Sequence, residues 1–339
     1  MNRRIASMRL MAEVAALARI DEFERRRRAE TEDAAAHPDP PAHQERRRTM
    51  SDHKTAPKTS SAQAKEDADR QLKAATRAAW ALGDYHKFAR ATVWGLGPVL
   101  VQACGVSAGQ RVLDVAAGTG NTAIRAAEAG ADVVASDLTP DNFEAGRREA
   151  KAHGVELEWM EADAENLPFG NSEFDVVTSS FGAMFAPNQR AVADELVRVC
   201  RPGGTIGMLN FTPEGLAAGF FGTLAPYAPP PPPGAPSPLM WGSEEHVREL
   251  FGDKVESLTT ARKEYVERAD SPSAYREFVK ATFGPVIAIY ANLAGDPERA
   301  TALDGDFLEF VTHANQGPPE GPAELHYEYL LVVARKLHA

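Results

Sequence analysis

The sequence predicts an α/β fold built on a doubly wound, mostly parallel β-sheet. From Arg111 to Asn210, short apolar runs alternate with helical patterns, and this alternation is typical of the βαβ units that form a parallel sheet. The first run, Arg111–Ala116, carries the Val-Leu-x-Val pattern of a strand buried on both faces. A glycine-containing turn follows and leads into a helix at Asn121, the order that a nucleotide-binding βα unit requires.

Composition limits the possible functions. The chain has 339 residues, of which 43% are hydrophobic, enough for one large core or two small ones. The net charge of -11 opposes non-specific nucleic-acid binding, which depends on Lys and Arg. No apolar run approaches the roughly 20 residues that a membrane span needs. The two cysteines, Cys104 and Cys200, lie outside recognisable motifs, and we expect a cytoplasmic protein whose cysteines are buried and reduced.

The N-terminal region differs from the rest of the chain. Residues 1–65 contain few large apolar side chains, and their arginine clusters alternate with acids, so we expect a poorly ordered, solvated extension rather than a nucleic-acid or membrane arm. Residues 66–339 are predicted to form the folded domain. Within it, Ala68–Trp94 has helical spacing with a break or bend at Gly83, and Gly97–Cys104 is a second helix. These helices are expected to cap the mouth of a ligand site.

The remaining elements of the α/β segment follow in order. Further strands are predicted at Ala131–Asp137, Val155–Met160, Phe174–Ser180 and Thr205–Asn210, with helices at Asn121–Ala129, Pro140–His153 and Asn188–Cys200 between them. The carboxyl ends of four of the strands carry a polar side chain: Asp114, Asp137, Asp163 and Ser180. One such residue alone would be an ordinary turn residue. Because ligands of these sheets lie beyond the carboxyl ends of the strands, the whole set predicts a binding site.

Two ligands compete for this site. Gly118–Ala123 fits the dinucleotide pattern G-x-G-x-x-A, and Asp137 stands where a ribose-binding acid is expected. Against a dinucleotide, Asp114 would crowd a pyrophosphate but can help to hold a cationic amino-acid group. Asp163 with Ala164 adds an adenine contact, and Asp163–Phe169 then turns back toward the site. A ribose, an adenine and a zwitterionic sulfonium tail account for all of these positions together.

These residues resemble a known family. Val112–Gly120, Asp137, Asp163–Phe169, Phe174–Gly182 and Arg201–Gly204 are similar to the motifs of class I S-adenosylmethionine-dependent methyltransferases, and most similar to the ubiquinone/menaquinone C-methyltransferase type. The resemblance implies a seven-stranded, Rossmann-like sheet whose last strand, Glu324–Lys336, is antiparallel, and S-adenosyl-L-methionine as the cofactor. It fades after Phe211, so the quinone substrate does not carry over.

The resemblance also implies residue roles. Ala116–Gly120 would approach the methionine part, with Thr119 as a contact, and Asp137 would accept hydrogen bonds from the ribose hydroxyls. The family often has glycine where this chain has Ala116, and we expect its small methyl group to be tolerated. The full set expected to bind the cofactor is Tyr85, Asp114, Ala116, Gly118, Thr119, Gly120, Asp137, Leu138, Asp163, Ala164, Ser180 and Phe181.

The substrate is expected to be chosen by residues 212–317, predicted as a helical lid insertion that also contains a sixth strand, Val255–Tyr265. Helices are predicted at Trp241–Phe251, Ser271–Asn292 and Phe307–Ala314. An apolar acceptor pocket is expected from Phe181, Met184, Phe185, Phe211, Trp241 and Phe283. His86 is the candidate general base, although a surface histidine is the simpler interpretation. No Cys/His cluster has metal-ligand spacing, so no metal is expected.

The sequence therefore predicts a methyltransferase that acts on a small, largely apolar or aromatic metabolite. Three alternative functions are also compatible with the sequence. An NAD-dependent oxidoreductase is disfavoured by Asp114 and Asp163–Phe169, and an RNA methyltransferase by the acidic charge. A non-catalytic binding module on the same fold would bind the cofactor without turning it over. The oligomeric state does not follow from the sequence.

Overall fold

One mixed sheet organises the computed structural model, which describes residues 59–232 and 234–338. In the described residues the sheet has seven strands in the order β3-β2-β1-β4-β5-β7-β6. These are β1 Arg111–Val115, β2 Asp132–Asp137, β3 Glu158–Glu161, β4 Phe174–Ser180, β5 Cys200–Phe211, β6 Val255–Ala269 and β7 Ala323–Lys336.

The direction of the strands confirms the predicted fold class. Strands β1 to β5 pair in parallel, whereas the last strand, β7, lies antiparallel between β5 and β6. The chain runs outward from β1 through β2 to β3 and then returns to β4 on the other side of β1. This reversal of strand order opens a crevice at the carboxyl ends of β1 and β4.

The central strands are the most apolar ones. Val112, Leu113 and Val115 of β1 are at most 1% exposed, as expected for a strand covered on both faces. The edge strand β3 is half-buried or exposed throughout. It begins at Glu158, three residues after Val155, where the strand was predicted to begin. The weaker apolar signal at a sheet edge explains this shift.

The helices connect the strands and cover the sheet. The α-helices are α1 Thr59–Trp80, α2 Tyr85–Ala91, α3 Gly97–Cys104, α4 Asn121–Glu128, α5 Phe143–Ala152, α6 Gln189–Val199, α7 Leu216–Leu224, α8 Glu244–Phe251, α9 Pro272–Thr282, α10 Gly284–Asn292 and α11 Pro297–Ala314. Residues 1–58, most of the predicted N-terminal extension, lie outside the described residues. The unit Glu66–Ala339 contains all seven strands.

Two long helical predictions are each divided in the structure. The helix expected to run to Trp94 ends at Trp80, and Gly83 separates it from α2 as predicted, with a φ of 75°. The single helix expected at Ser271–Asn292 is wrong: α9 and α10 meet at Phe283, whose extended backbone breaks the helix. Pro285 explains the break, because it has no N–H to donate within a continuing helix and is tolerated only in the first turn of a new helix, here α10.

The described residues offer neither a membrane-spanning helix nor a cluster of metal ligands. No helix in this part of the chain is both long and apolar enough to cross a bilayer. The same residues contain no group of three or more His, Cys, Asp or Glu side chains that could hold a metal ion.

Candidate active site

A large cavity, here called the main cavity, lies along the carboxyl edge of the parallel strands. Each strand from β1 to β5 contributes the residue at or just after its end: Ala116, Asp137, Ala162, Phe181 and Phe211. The structure thus brings most of the predicted site residues to one cavity: Tyr85, Ala116, Gly118, Asp137, Leu138, Asp163, Ala164, Phe181, Phe185, Phe211 and Phe283 all line it.

The turn between β1 and α4 forms one wall of this cavity. Ala116, Gly118 and Gly120 have φ values of 54°, 57° and 83°, a backbone region that glycine adopts without the steric cost of a Cβ atom. A Cβ atom on Gly118 would lie 2.6 Å from Cε1 of Tyr85. The close approach of α2 to the turn therefore requires glycine at this position.

Asp137 holds the same turn from the end of β2. Its Oδ2 accepts the N–H of Gly118 at 2.7 Å, and its Oδ1 accepts the N–H of Thr139 at 2.8 Å. Burial raises the pKa of Asp137, while these two hydrogen bonds favour its charged form and oppose that effect. Each carboxylate oxygen can accept a further hydrogen bond, so Asp137 keeps accepting capacity toward the cavity.

Asp114 stabilises the start of α4 from within the core. It is 2% exposed, and its carboxylate accepts the N–H of Ala123 at 3.1 Å and the hydroxyl of Thr178 at 2.8 Å. Burial raises the pKa of Asp114 to about 7, in spite of both hydrogen bonds. An acid at a helix N-terminus also interacts favourably with the helix dipole. Asp114 thus has a structural role in addition to any contact with a ligand.

A second, smaller cavity, here called the small cavity, adjoins the turn. Four predicted residues line it together with Ala116: Tyr85, Asp114, Thr119 and Ser180. Two other lining side chains, Asn121 and Thr122, were not predicted. The buried atoms Ser180 Oγ, Thr122 Oγ1 and Asn121 Oδ1 find no hydrogen-bond partner among the described residues. Buried polar atoms are rarely left unsatisfied, so the small cavity has the donors and acceptors for the amino and carboxylate groups of a zwitterion.

The residue after β4 carries backbone strain. Phe181 has a φ of 59°, a region that is unfavourable for a bulky side chain. Its N–H donates to the carbonyl oxygen of Leu209 at 2.8 Å, and its ring centroid lies 4.4 Å from that of Phe211. These contacts fix the Phe181 ring in the wall of the main cavity.

The side of the cavity beyond β3 is more strongly charged than the sequence suggested. Nζ of Lys73, on α1, lies 2.7 Å from Oδ2 of Asp163 and 3.0 Å from Oε2 of Glu165. Asp163 Oδ1 accepts the N–H of Glu165 at 2.9 Å. Both oxygens of the predicted adenine-binding carboxylate therefore already have protein partners, and Lys73 lines the cavity beside them.

Two residues expected in the acceptor pocket do not line the main cavity. Met184 and Trp241 are both fully buried, at 0% exposure, and belong to the hydrophobic core. Met184 lies in the middle of a tight turn, Ala183–Phe185, whose last residue lines the cavity instead. Trp241 packs edge-on against Phe251 of α8, so its large apolar surface is used for the core.

His86 and Gly120 also lie outside both cavities. His86 Nδ1 is 3.2 Å from the hydroxyl oxygen of Thr119, and its Nε2 is 3.2 Å from Oε2 of Glu149. These contacts tie α2 to the turn and to α5, and this placement does not support a role as general base. A Cβ atom on Gly120 would lie 2.6 Å from the ring of Trp159, so Gly120 allows close packing rather than ligand contact.

Several lining residues were missed by the sequence reasoning. Tyr265 and Glu267 of β6, Tyr275 of α9 and Tyr327 of β7 all line the main cavity. For the three strand residues Tyr265, Glu267 and Tyr327, the alternation with neighbouring residues was the available signal, and β6 continues to Ala269 rather than ending at Tyr265. Because side chains two residues apart on a strand point to the same face, Glu267 lies on the same face of β6 as Tyr265.

Comparisons with known proteins agree with this geometry. A family model described as a methyltransferase domain matches residues 112–204. An uncharacterised protein of Mycobacterium tuberculosis is 46% identical over 270 residues, which cover 79% of this chain and 97% of that protein. The two proteins therefore belong to one family.

Two further likenesses cover different shares of the chain. A demethylmenaquinone methyltransferase of Clavibacter sepedonicus is 45% identical over 105 residues, 31% of this chain and 42% of that enzyme. The crystal structure of the YcgJ protein from Bacillus subtilis superposes with a TM-score of 0.49 at 18% identity, covering 72% of this chain and 99% of that one. On the family model, the strand order and the residues at the strand ends, the chain belongs to the class I S-adenosylmethionine-dependent methyltransferases.

Proposed function

We propose that this enzyme methylates a small, largely apolar or aromatic metabolite. One observation carries the proposal: the main cavity joins a polar half at the turn and Asp137 to a half walled by aromatic rings. The aromatic half includes the rings of Phe181, Phe211 and Phe283. A flat, apolar acceptor fits such walls better than a charged polymer does.

The polar half fits S-adenosyl-L-methionine. Asp137 would accept from the ribose hydroxyls, and Leu138 and Ala164 would contact the adenine. The unpartnered Ser180 and Thr122 hydroxyls, with the Asp114 carboxylate, would hold the amino-acid end in the small cavity. When bound, the cofactor supplies an electrophilic methyl group on a sulfonium.

The chain's own contribution to the rate would be alignment and exclusion of water. Methyl transfer needs the acceptor atom in line with the bond that breaks, and holding two reactants in that geometry removes much of the entropic barrier. The aromatic walls, including the strained but well-packed Phe181, would orient the acceptor. They would also keep water from the reacting atoms.

Calorimetric titration tests the cofactor. The full chain should bind S-adenosylhomocysteine, and NADH should give no comparable heat, because the turn and strand ends fit a nucleoside with an amino-acid tail. Tight NADH binding without S-adenosylhomocysteine binding would contradict the proposal and favour an oxidoreductase.

A transfer experiment tests the acceptor class. The enzyme is incubated with S-adenosylmethionine carrying a tritiated methyl group and with a cell extract separated into small molecules, RNA and protein. We expect the label in small molecules that partition into organic solvent. Label that enters RNA would favour the RNA methyltransferase alternative, which the net charge of -11 already disfavours. Cofactor binding with no transfer to any fraction would favour a non-catalytic binding module.

A further inference from the structure

A buried acid with three phenols lies in the aromatic half of the main cavity. Glu267 is 4% exposed, and it accepts the hydroxyls of Tyr265 at 2.8 Å and of Tyr275 at 2.7 Å, one on each carboxylate oxygen. The hydroxyl oxygens of Tyr275 and Tyr327 are 2.9 Å apart. All four residues, here called the Glu267 cluster, line the cavity.

The topology places this cluster where an acceptor would lie. The last residue of β5, Phe211, pairs with Tyr329 of β7, whereas Tyr327 pairs with Tyr265 beyond the end of β5. Strands β6 and β7 thus extend past the carboxyl edge of the parallel strands. The ring centroid of Tyr265 is 6.3 Å from that of Phe181 at the end of β4, so the cluster lies beside the cofactor half of the cavity.

No cation among the described residues balances the charge of Glu267. No Lys, Arg or His nitrogen among the described residues lies within 4.0 Å of its carboxylate. Burial raises the pKa of Glu267 to about 7, although both phenols favour the charged form. A buried carboxylate without a cation is costly, and two phenols fill only about half of its accepting positions. The remaining accepting capacity is available to a ligand that donates a hydrogen bond.

We propose that the Glu267 cluster binds a hydroxyl group of an aromatic acceptor and that Glu267 takes the proton of that hydroxyl during methyl transfer. This assignment rests on the proposed function. The acceptor's O–H bond breaks, and its proton passes to a Glu267 carboxylate oxygen. The electron pair of the O–H bond becomes the new bond from oxygen to the methyl carbon, while the pair of the S–CH3 bond stays on sulfur as a thioether.

The same geometry gives selectivity for the hydroxyl. An aromatic acceptor without a donor would fill the cavity but leave the carboxylate unpaired. Sites built to hydrogen-bond a substrate hydroxyl discriminate strongly against analogues that lack it. The rings of Tyr265 and Tyr327, stacked with centroids 5.6 Å apart, form an apolar wall of the same cluster.

A fluorescence experiment on the full chain, saturated with S-adenosylhomocysteine, tests the proposal without turnover. The probes are 2-naphthol and naphthalene, which differ by one hydroxyl. We expect 2-naphthol to bind at least about tenfold more tightly, the scale of one hydrogen bond to a charged group. Because 2-naphthol becomes a much stronger acid in its excited state, a carboxylate at its hydroxyl should give emission from bound naphtholate.

Two variants isolate the carboxylate. Glu267→Gln keeps the size of the side chain and should remove both the naphtholate emission and the preference over naphthalene. Glu264→Gln, on the same strand with a half-exposed side chain paired to His326, is the matched control and should change neither. Tyr265→Phe leaves the carboxylate in place and should keep the naphtholate emission, which separates Glu267 from its neighbour as the proton acceptor.

The outcomes separate this inference from the proposed function. If S-adenosylhomocysteine binds but the wild type shows only neutral naphthol emission and equal affinity for both probes, the role of Glu267 is overturned and the proposed function stands. The role of Glu267 is likewise overturned if Glu267→Gln retains the preference for 2-naphthol. If S-adenosylhomocysteine itself does not bind, the proposed function fails. The wild-type measurement decides even if Glu267→Gln does not fold.

Discussion

Ala116 and Phe181 carry Cβ atoms at backbone positions that favour glycine, and both line the main cavity. A residue with a Cβ atom in the left-handed region costs about 1–2 kcal/mol. Such strain persists where the surrounding structure fixes it, and it is concentrated at functional sites. At Phe181 the ring contact with Phe211 supplies that support. At Ala116 the side chain is a single methyl group, so its strain can be removed by substitution.

Ala116→Gly should stabilise the protein by about 0.5–1 kcal/mol. Relief of the left-handed strain exceeds the entropy that glycine adds to the unfolded chain. The measurement is the free energy of unfolding in urea. Ala117→Gly is the matched control, because Ala117 is adjacent but has no positive φ, and it should destabilise by a similar amount. An equal loss at both positions would show that Ala116 is not strained.

Asp114→Asn should change how stability depends on pH. Burial raises the pKa of Asp114 from 3.8 to about 7, so the folded state binds a proton that the unfolded state releases between these values. The contribution of Asp114 to stability is therefore fully present below pH 4 and is lost as the pH rises to about 7. Relative to Asp114→Asn, the wild type should lose on the order of 3 kcal/mol across this window.

Urea unfolding at several pH values measures the effect of Asp114. The difference between wild type and variant cancels the contributions of the other acids, including those of Glu128 and Glu195, whose pKa values are lowered. Asp253→Asn is the control, because it removes a carboxylate that is exposed rather than buried. A difference for Asp114→Asn that stays constant with pH would mean that the Asp114 carboxylate is not held in the neutral form.

At the scale of elements, the sequence pattern predicts the bounds of a strand well where both faces of the strand are buried. The bounds of β1 and β4 follow the predicted runs within one residue, since strands between two covered faces have continuous apolar sequences. The division at Phe283 was missed even though Pro285 signals it. Helical periodicity continues across the break, because α9 and α10 both present apolar side chains, such as Val279 and Val286, to the core. Periodicity alone does not show where a helix changes direction.

Lys73 ties helix α1 to the rim of the main cavity, and Lys73→Met should loosen this helix. The substitution leaves the Asp163 and Glu165 carboxylates without the ammonium that lies 2.7 Å and 3.0 Å from them. We expect faster amide hydrogen exchange in Ala68–Trp80 and faster dissociation of S-adenosylhomocysteine.

The control for the effect of Lys73→Met on α1 is the same change, lysine to methionine, at Lys87. Lys87 is exposed on α2 and lines neither cavity, so Lys87→Met should leave exchange in Ala68–Trp80 unchanged. Because the Lys73 interactions are ionic and partly exposed, the difference between the two variants should shrink at high salt. Equal exchange in both variants at low salt would mean that packing alone holds α1.

At the scale of the whole molecule, the two halves of the main cavity were not equally predictable. The cofactor half is made by residues at or directly after the ends of strands that the sequence pattern predicts. Asp137 and Gly118 could therefore be named from the sequence. The acceptor half is assembled from α9, β6 and β7, whose approach depends on the register of two long antiparallel strands. No local pattern fixes which of their side chains meet, and the pairing of Tyr265 with Tyr327 appears only in the folded chain.

The two ends of strand β2 allow a matched test of where the cofactor binds. Asp132 and Asp137 are its first and last residues, about 16 Å apart at the rise of an extended strand. A ligand at the carboxyl edge contacts only Asp137. S-adenosylhomocysteine at 100 times its Kd should stabilise the wild type by about 2.7 kcal/mol, because it binds only the folded state.

Asp137→Ala should remove most of that stabilisation, whereas Asp132→Ala should not. Loss of a hydrogen-bonded carboxylate weakens binding by about 1.5–3 kcal/mol, so at the same ligand concentration the stabilisation falls to about 0.3–1.3 kcal/mol. Urea unfolding with and without ligand gives this difference for each variant. Asp137→Ala also loses the hydrogen bonds from Gly118 and Thr139, which lowers its stability even without ligand. Because each variant is measured with and without ligand, this loss cancels. Full stabilisation of Asp137→Ala would remove this carboxylate from the ribose site and would require the ligand to be held elsewhere along the sheet edge.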